Sequence, residues 1–371
     1  MTDYPTKRLD LKFLDGLRAV SAVAVVVFHA YLFTGRTGEA ESNLPTLFKL
    51  INLGNFAVPM FIVLSGFVLM LPVAGSSDLR LKGGLINYIK RRARRILPPY
   101  YASLILFGTL ILLLPILSTR RDTAWDSKIP VTWTGATSHL FLVHNLNLEW
   151  IYQINGPAWS VATEWQIYFV FPLLLLPVWR KFGGGGMIFI SLAIPFALVM
   201  LFPAVGGAHL WFIALFAMGA IAAHAVVLNK PVPHLGIVTF VSWIVAGAVV
   251  GIGVFPVALN ELILGAAMAL FVMWLARCHQ EGRRTLFHAV LESKVLVWVG
   301  LWSYSLYLVH SPVLALGNLL FLEVDMSTLA RFGIQLLITV PVAGLVAFAF
   351  HCVIERRFMT SHQEAAEPAQ R

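Results

Sequence analysis

Long apolar stretches alternate with short polar segments along most of this chain. Ten stretches approach the roughly 20 residues that a helix needs to cross about 30 Å of hydrocarbon. Each is predicted to be helical, because a lipid-exposed backbone must satisfy its own hydrogen bonds. The pattern therefore predicts an all-α, polytopic integral membrane helical bundle of about ten transmembrane helices. The stretches cover residues 12–34, 52–73, 97–117, 160–179, 186–203, 208–228, 235–255, 259–277, 297–320 and 330–353.

Composition supports a membrane protein. Hydrophobic residues make up 58% of the chain and charged residues only 12%, with a mean hydropathy of +0.80. A soluble domain could not cover so much apolar surface with polar groups. The first stretch is too long for a secretory signal and lacks a cleavage site, so it is predicted to remain in the protein. We expect one membrane domain over 1–371, with a cytoplasmic segment at 1–11 and a short cytoplasmic tail at 356–371.

The chain has a net charge of +9, and its basic residues are concentrated in the predicted loops and helix ends. Lysine and arginine concentrate on one side, which predicts that both termini are cytoplasmic and that the chain is a multi-pass protein of the plasma or inner membrane. A nucleic-acid partner is not needed to explain this charge. The basic residues predicted outside are Arg36, Lys49, Arg120, Arg121, Lys128 and Arg331.

Motifs for metal or ordinary serine-esterase chemistry are missing from the sequence. It contains no His-Glu-x-x-His, no Gly-x-Ser-x-Gly and no Cys-x-x-Cys, so no metal is predicted. Cys278 and Cys352 both fall at predicted inner helix ends and cannot form a disulfide framework for an outer domain.

The first apolar stretch carries two ionisable residues, Arg18 and His29. They are separated by about three helical turns, so both project from one face, roughly 16 Å apart along the axis. Exposure of either to lipid is costly, and we expect both to face the bundle interior. Either residue alone could be an interface anchor or a helix-to-helix hydrogen bond, and their shared face favours a site.

A second group begins where Asn155, Gly156 and Pro157 interrupt the chain. Trp159 follows at a predicted interface, and Glu164 then enters the outer half of an apolar stretch, with Tyr168 one turn below. Such a carboxylate needs a partner. It could be a structural pin, or it could orient a histidine or hold a substrate hydroxyl.

Two further features are weaker when taken alone. Five basic residues lie within 90–95, more than topology requires, and arginine forks suit phosphate oxygens. Anionic-lipid contact is the alternative interpretation of that run. His310 falls within the ninth stretch, where a packing role is the stronger interpretation. His139 and His144, in a predicted outer loop, are weaker candidates still.

Four motifs in order resemble the acyltransferase-3 family of membrane O-acyltransferases. No single motif is specific, but the series runs from the first stretch to the ninth. The chain resembles the stand-alone members, which lack a fused hydrolase-like domain. The motifs are Leu14-Asp15-Gly16-Leu17-Arg18 with His29, then Arg92-x-x-Arg95-Ile96-x-Pro98, then Trp159-Ser160-x-x-x-Glu164-x-x-x-Tyr168, and finally Ser303-Tyr304-Ser305-x-Tyr307-x-x-His310.

The resemblance implies transfer of an acyl group, commonly acetyl, from cytoplasmic acyl-CoA to a hydroxyl of a carbohydrate or related acceptor, often outside the membrane. Such chemistry needs a base, an oxyanion donor and a grip on the carrier. The expected base is His29, with Glu164 and His310 as further catalytic candidates. Direct transfer and an acyl-enzyme both remain open. The expected grip on coenzyme A comprises Arg18, Arg91, Arg92, Arg94 and Arg95, and the expected substrate-side residues are Trp159, Ser160 and Tyr168.

Two other classes of function also fit intramembrane charges. A secondary transporter or flippase of an envelope precursor would use them for ion coupling, although no pair of broken stretches in two halves points to inverted repeats. A non-catalytic scaffold of envelope assembly would use them only as pins. Acetyl-CoA binding is expected of the enzyme alone.

Overall fold

A computed structural model describes residues 10–51, 54, 56–76 and 78–359. Every regular element in these ranges is helical. Lys7, Arg8 and Arg371, which the charge pattern predicts to be cytoplasmic, and most of the predicted cytoplasmic tail lie outside the described residues. The α-helices are α1 (Phe13–Leu32), α2 (Glu39–Asn43), α3 (Pro45–Ile51), α4 (Ala57–Ala74), α5 (Gly84–Leu113), α6 (Pro115–Ser118), α7 (Trp133–Leu140), α8 (Ala158–Val170), α9 (Leu176–Leu201), α10 (Phe212–Val227), α11 (Leu235–Ile252), α12 (Val257–Gln280), α13 (Leu286–Leu291), α14 (Lys294–Leu301), α15 (Ser303–Phe321), α16 (Thr328–Ile334) and α17 (Val340–Val353).

Nine helical runs in the described residues are long and apolar enough to cross a bilayer. The fourth, Ala158–Leu201, is 44 residues long. A straight helix of that length would extend about 66 Å, twice the hydrocarbon thickness. It is two helices joined at Gly183, whose φ of 69° and ψ of −173° are not helical. All ten predicted stretches therefore fall on helical runs, which confirms a multi-pass helical membrane protein.

Several predicted boundaries are wrong, by up to thirteen residues. The third stretch was expected to begin at 97, but α5 begins at Gly84 and ends at Leu113. Charged residues can continue a helix into the aqueous phase, and hydropathy alone does not detect that extension. In the ninth stretch, Trp302 separates α14 from α15. Two π-helical segments, Phe171–Leu175 and Gln335–Thr339, interrupt the fourth and ninth runs.

The described chain divides into two compact units. Among the described residues, the first unit comprises 10–16, 58–76, 78–90 and 163–297, and the second comprises 17–51, 54, 56–57, 91–162 and 298–359. In the first unit, α12 packs against α10 and α11. Small residues bring α4 and α10 together, because a side chain at Gly66 would overlap the Phe216 backbone and one at Gly219 would overlap Val63. Such close approach of helix backbones is common in membrane bundles.

One face of α11 shows how the apolar surface is used. Ile237 is 63% exposed, Phe240 is 67% exposed and Ile244 is 55% exposed. These positions are three and four residues apart and lie on one side of the helix. A contiguous face of large apolar side chains fits contact with lipid chains.

In the second unit, polar side chains fasten the end of α1. Asn318 of α15 accepts a hydrogen bond from the Gly35 amide and donates one to the Gly35 carbonyl, both at 2.8 Å. Gln335 donates to the carbonyls of Phe33 at 2.8 Å and Leu314 at 3.1 Å. These bonds hold the C-terminal end of α1 beside α15.

Candidate functional site

His29 lies one turn before the end of α1, where the structure confirms an uninterrupted helix from Phe13 to Leu32. Its Nδ1 is 2.9 Å from the Val25 carbonyl oxygen. A carbonyl oxygen only accepts, so Nδ1 carries the proton in the neutral ring. Nε2 is then the nitrogen with a free lone pair, which is what a general base requires.

His310 has the same arrangement in α15. Its Nδ1 lies 3.0 Å from the Leu306 carbonyl oxygen, and its side chain is fully buried. Its Nε2 is buried and has no hydrogen-bond partner among the described residues. The ring centroids of His29 and His310 are 4.9 Å apart, with an interplanar angle of 71°. The structure therefore brings together the strongest and one of the weaker histidine candidates of the sequence.

Ser160 and Tyr307 meet close to the histidine pair. Their hydroxyl oxygens are 2.6 Å apart, and the Tyr307 hydroxyl also donates to the Pro157 carbonyl at 3.0 Å. The Tyr307 ring centroid is 6.1 Å from that of His310. Asn155, one of the predicted chain-breaking residues, donates to the Leu308 carbonyl at 2.9 Å. The start of α8 is thus bonded to the helix that carries His310.

Glu164 and Tyr168 belong to the first unit. The Tyr168 hydroxyl donates to the Glu164 carboxylate at 2.6 Å and lies 3.3 Å from the Ser65 hydroxyl. The carboxylate therefore has a partner, one turn along its own helix. The prediction that Glu164 orients His29 or holds a substrate hydroxyl stays a prediction. Trp159 is half-buried in the first turn of α8.

The predicted coenzyme A residues are all helical. Arg18 is half-buried on α1, three turns from His29. In α5, Arg91 and Arg94 are exposed, whereas Arg92 and Arg95 are half-buried. The Nε of Arg92 is buried without a hydrogen-bond partner among the described residues. This buried N–H could donate to an anion.

His139 and His144 form a stacked pair, with ring centroids 3.7 Å apart. The Tyr100 hydroxyl donates to the His139 carbonyl at 2.9 Å. Burial lowers the pKa of His139 to about 4 and that of His144 to about 3. Both rings are therefore neutral near pH 7, which suits a packed pair.

Comparison with known proteins gives the family. A family model described as an acyltransferase domain matches residues 11–355, nearly the whole chain. The chain belongs to the acyltransferase-3 family. Family membership identifies this acyltransferase as an enzyme rather than a transporter or a scaffold.

Curated relatives of this acyltransferase carry related names. It is 27% identical to Acyltransferase MdmB of Streptomyces mycarofaciens, over 85% of this chain and 81% of that protein. It is 22% identical to the O-acetyltransferase OatA of Staphylococcus aureus, over 84% of this chain and 51% of OatA. It is 28% identical to the putative peptidoglycan O-acetyltransferase YrhL of Bacillus subtilis, over 44% of this chain and 23% of YrhL. No solved structure matches.

One group in the first unit has the composition of a metal site. Ligand atoms of His279, His288 and Glu292 lie within 4.8 Å of one another. However, His288 contacts the Thr285 hydroxyl at 2.9 Å through Nδ1 and the Leu275 carbonyl at 3.2 Å through Nε2. Glu292 pairs with Arg284. A metal ion bound there would have to displace these partners.

No role was predicted from the sequence for two residues of the second unit, Tyr307 and Lys128. Tyr307 lies three positions before His310 in a motif that the sequence already displayed, so its spacing was a usable signal. Lys128 was predicted only as a basic residue outside the membrane, yet it is buried and its ammonium lies over the Phe33 ring, one turn after His29. No local pattern marks Lys128, because its burial depends on residues far away in the chain.

Proposed function

We propose that this acyltransferase moves an acetyl group from cytoplasmic acyl-CoA to a hydroxyl of a carbohydrate or related acceptor at the outer face of the cell membrane. Family membership and the names of two relatives as O-acetyltransferases support this proposal. Peptidoglycan appears in the name of a relative of which this chain covers only 23%. The acceptor class is therefore kept at carbohydrate or related hydroxyl compound.

The observation that carries the proposal is the paired histidines, each with Nδ1 bonded to a carbonyl. Nε2 of His29 accepts the proton of the acceptor hydroxyl, and the hydroxyl oxygen forms a bond to the thioester carbonyl carbon. The resulting oxyanion collapses and the carbon–sulfur bond breaks. The imidazolium then returns its proton to the leaving thiolate. His310, in ring contact with His29, is the second histidine available for proton transfer.

Donor binding is assigned to the arginines. Coenzyme A carries several phosphate charges, and guanidinium groups form strong paired hydrogen bonds with phosphate oxygens. The unpartnered Nε of Arg92 supports a phosphate site in the first turns of α5. Arg91, Arg94 and Arg95 add charge around it, and Arg18 lies on the face of α1 that leads to His29.

Acceptor binding is assigned to α8. Glu164 accepts a short hydrogen bond from Tyr168, and the carboxylate has further lone pairs for a sugar hydroxyl. Trp159 provides an aromatic ring in the first turn of the same helix. Ser160 provides a hydroxyl that contacts Tyr307.

The test uses purified full-length protein with acetyl-CoA and carbohydrate acceptors, beginning with N-acetylglucosamine oligomers. Acetyl-CoA binding is measured by calorimetry, and acetyl transfer by mass spectrometry of the acceptor. We expect His29→Gln to bind acetyl-CoA normally and to lose transfer by about a hundredfold, as removal of a general base does. His234→Gln, at an exposed histidine, is the matched control, and we expect it to retain both acetyl-CoA binding and acetyl transfer. Absence of acetyl-CoA binding by the unmodified protein would refute the proposed donor.

A further inference from the structure

Lys128 is a buried lysine at the end of a 3₁₀ turn, Ala124–Lys128. Its side chain is among the buried charged residues, with only 9% of the residue exposed. The ammonium donates to the Ala124 carbonyl at 3.1 Å and to the Ser127 hydroxyl at 2.6 Å. The third N–H has no partner in the described part of the chain, nor does a carboxylate there form an ion pair with Lys128. A buried charge without a counter-ion is costly to fold, so it is usually retained for a reason.

The ring contacts of the ammonium connect it to the end of the helix that carries His29. Nζ lies over the rings of Phe33 and Tyr152, 5.8 and 5.5 Å from their centroids. Phe33 follows His29 by one turn of the chain, and its amide donates to the His29 carbonyl at 2.9 Å.

The loop before α8 is shaped around this side chain. A Cβ at Gly156 would lie 2.7 Å from Cε of Lys128 and 3.1 Å from Nζ. Glycine at position 156 therefore leaves the room that the lysine stem occupies. The Ile154 amide donates to the Lys128 carbonyl at 3.1 Å, which joins the two loops. Residues 154–156 thus hold Lys128 in position. The next residue in this loop is Pro157, whose carbonyl accepts a hydrogen bond from the Tyr307 hydroxyl.

The proposed reaction still lacks one component. His29 can take the hydroxyl proton and the arginines can hold the donor, but the negative charge that develops on the acyl oxygen needs a hydrogen-bond donor. Donors that are preorganised for such an oxyanion usually make one of the largest contributions to acyl-transfer rates. An ammonium held in a water-poor region, with one N–H uncommitted, has the chemistry required.

We propose that Lys128 donates a hydrogen bond to the oxyanion formed when the acceptor hydroxyl attacks the acyl carbonyl carbon near His29. This inference rests on the proposed function. The lysine keeps its proton throughout. The carbon–oxygen bond forms, and an N–H of Nζ donates a hydrogen bond to the oxyanion. The carbonyl double bond then re-forms as the carbon–sulfur bond breaks, and the negative charge leaves on the thiolate, which takes the proton from the His29 imidazolium.

A pH signature accompanies this role. Burial lowers the pKa of Lys128 from 10.5 to about 8. The side chain is therefore mostly a charged ammonium near pH 7, and it loses its proton as the pH rises through about 8. Turnover should therefore fall on the alkaline side. The ionisable groups around it are His29 on α1, Tyr152 before α8, Asp126 on its own turn, and Arg120, which donates to the Ile129 carbonyl. Burial raises the pKa of Tyr152 above 10, outside this pH window.

The experiment compares Lys128→Met with the unmodified protein, using acetyl-CoA and the acceptor found above. Methionine retains an unbranched stem and removes the ammonium. We expect kcat to fall by about a hundredfold, as for loss of an oxyanion donor, with acetyl-CoA affinity and melting temperature at pH 7 not reduced. The alkaline fall in turnover between pH 7.5 and 9.5 should disappear in the variant. Arg36→Gln removes another charge of the second unit, in an exposed pair with Glu323, and should leave all values unchanged.

Each outcome has a distinct meaning. Turnover by Lys128→Met equal to that of the unmodified protein overturns the inference and leaves the proposed function intact. A higher acceptor KM with unchanged kcat also overturns it, because Lys128 would then only bind the acceptor. If the variant fails to fold, the pH profile of the unmodified protein decides: turnover that stays constant from pH 7.5 to 9.5 rejects the role, and a fall centred near 8 supports it. No acetyl transfer by the unmodified protein removes the proposed function and this inference together.

Discussion

At the residue scale, the hydrogen bonds of individual side chains decide which atoms are available for chemistry. His29 and His310 each commit Nδ1 to a carbonyl one turn earlier in the helix. Free imidazoles can adopt either tautomer, but these contacts favour the one with a basic Nε2. The two histidines therefore favour the same tautomer. They differ in burial, because His29 is half-buried and His310 is buried.

Glu164 provides a residue-scale prediction. Glu164→Gln retains the shape of the side chain and removes its charge. If the carboxylate binds the acceptor hydroxyl, acetyl transfer should fall by at least tenfold while acetyl-CoA binding stays normal. Tyr168→Phe, which removes the hydrogen bond to Glu164, is expected to have a smaller effect. Transfer and acetyl-CoA binding are measured side by side in membranes containing equal amounts of protein, and full transfer by Glu164→Gln would make the residue a structural pin.

Lys128 leads to a prediction about stability. The unfolded chain holds the lysine proton up to about pH 10.5, whereas the folded protein releases it near 8. Between these values the unfolded state binds more protons, so the free energy of unfolding should increase with pH, by on the order of 2 kcal/mol from pH 7.5 to 9.5. Thermal unfolding in detergent should show this increase in the unmodified protein and not in Lys128→Met. Parallel curves for the two proteins would contradict the burial of a charged lysine.

At the element scale, whole helices carry the groups that act together. The first turns of α5 present four arginines, two exposed and two half-buried, before the helix becomes apolar. Because i and i+3 positions share a face, Arg92 and Arg95 can engage one anion from the same side of the helix. The positive-inside rule alone would require basic residues in this segment, but it would not require two of them to lie on the same face of the helix.

The arginine run is tested by Arg92→Ala combined with Arg95→Ala. Loss of charge-assisted bonds to phosphate should weaken acetyl-CoA binding by about tenfold or more. Lys181→Ala, at another exposed basic position, is the control and should bind normally. Isothermal titration with acetyl-CoA gives the comparison. Equal affinities in all three proteins would reduce the run to a topology signal.

The hydrogen bonds between Asn318 and Gly35, just after the end of α1, give a second element-scale prediction. Asn318 bonds both backbone groups of Gly35, 283 residues away in the sequence. Asn318→Leu leaves these buried groups without partners, which costs about 1–3 kcal/mol in stability and releases the helix end that carries His29. We therefore expect a lower melting temperature together with reduced acetyl transfer. Asn43→Leu, which breaks a bond to the Thr328 hydroxyl elsewhere in the second unit, serves for comparison and should affect transfer less.

At the scale of the whole molecule, the helices define a multi-pass membrane protein, and the distribution of charge predicts its orientation. The predicted inner loops hold most of the lysine and arginine residues, and an even number of crossings returns the chain to the starting side. The prediction of ten crossings depends on the break at Gly183, which divides the run Ala158–Leu201 into two helices.

Reporter fusions test this topology. Fusions after residues 181, 283 and 371 should report the cytoplasm, and fusions after 122 and 325 the opposite side, because of the positive-inside rule. Alkaline phosphatase and green fluorescent protein provide complementary signals. A fusion after residue 371 that is active outside would overturn the model with ten crossings and both termini in the cytoplasm.

The sequence by itself determined the helical class, the approximate crossings, the family and most of the candidate site residues. These properties depend on local composition, on the length of apolar runs and on motif spacing, all of which can be read along one segment. The predicted helix ends were less accurate, as in α5, because hydropathy measures the membrane-buried part of a helix and not its aqueous extension. His29, Arg18 and the arginine run were identifiable for the same local reason.

Only the tertiary structure decided how those residues meet. His29 and His310 come from helices at opposite ends of the chain, and their ring contact depends on packing of α1 beside α15. The partner of Ser160, the orphaned Nε of Arg92 and the burial of Lys128 are likewise products of distant contacts. Lys128 is the clearest case, because a lysine in a polar loop is normally solvated. It becomes a buried cation only when Phe33, Tyr152 and Gly156 fold around it. No periodicity in its own segment of the sequence indicates this burial.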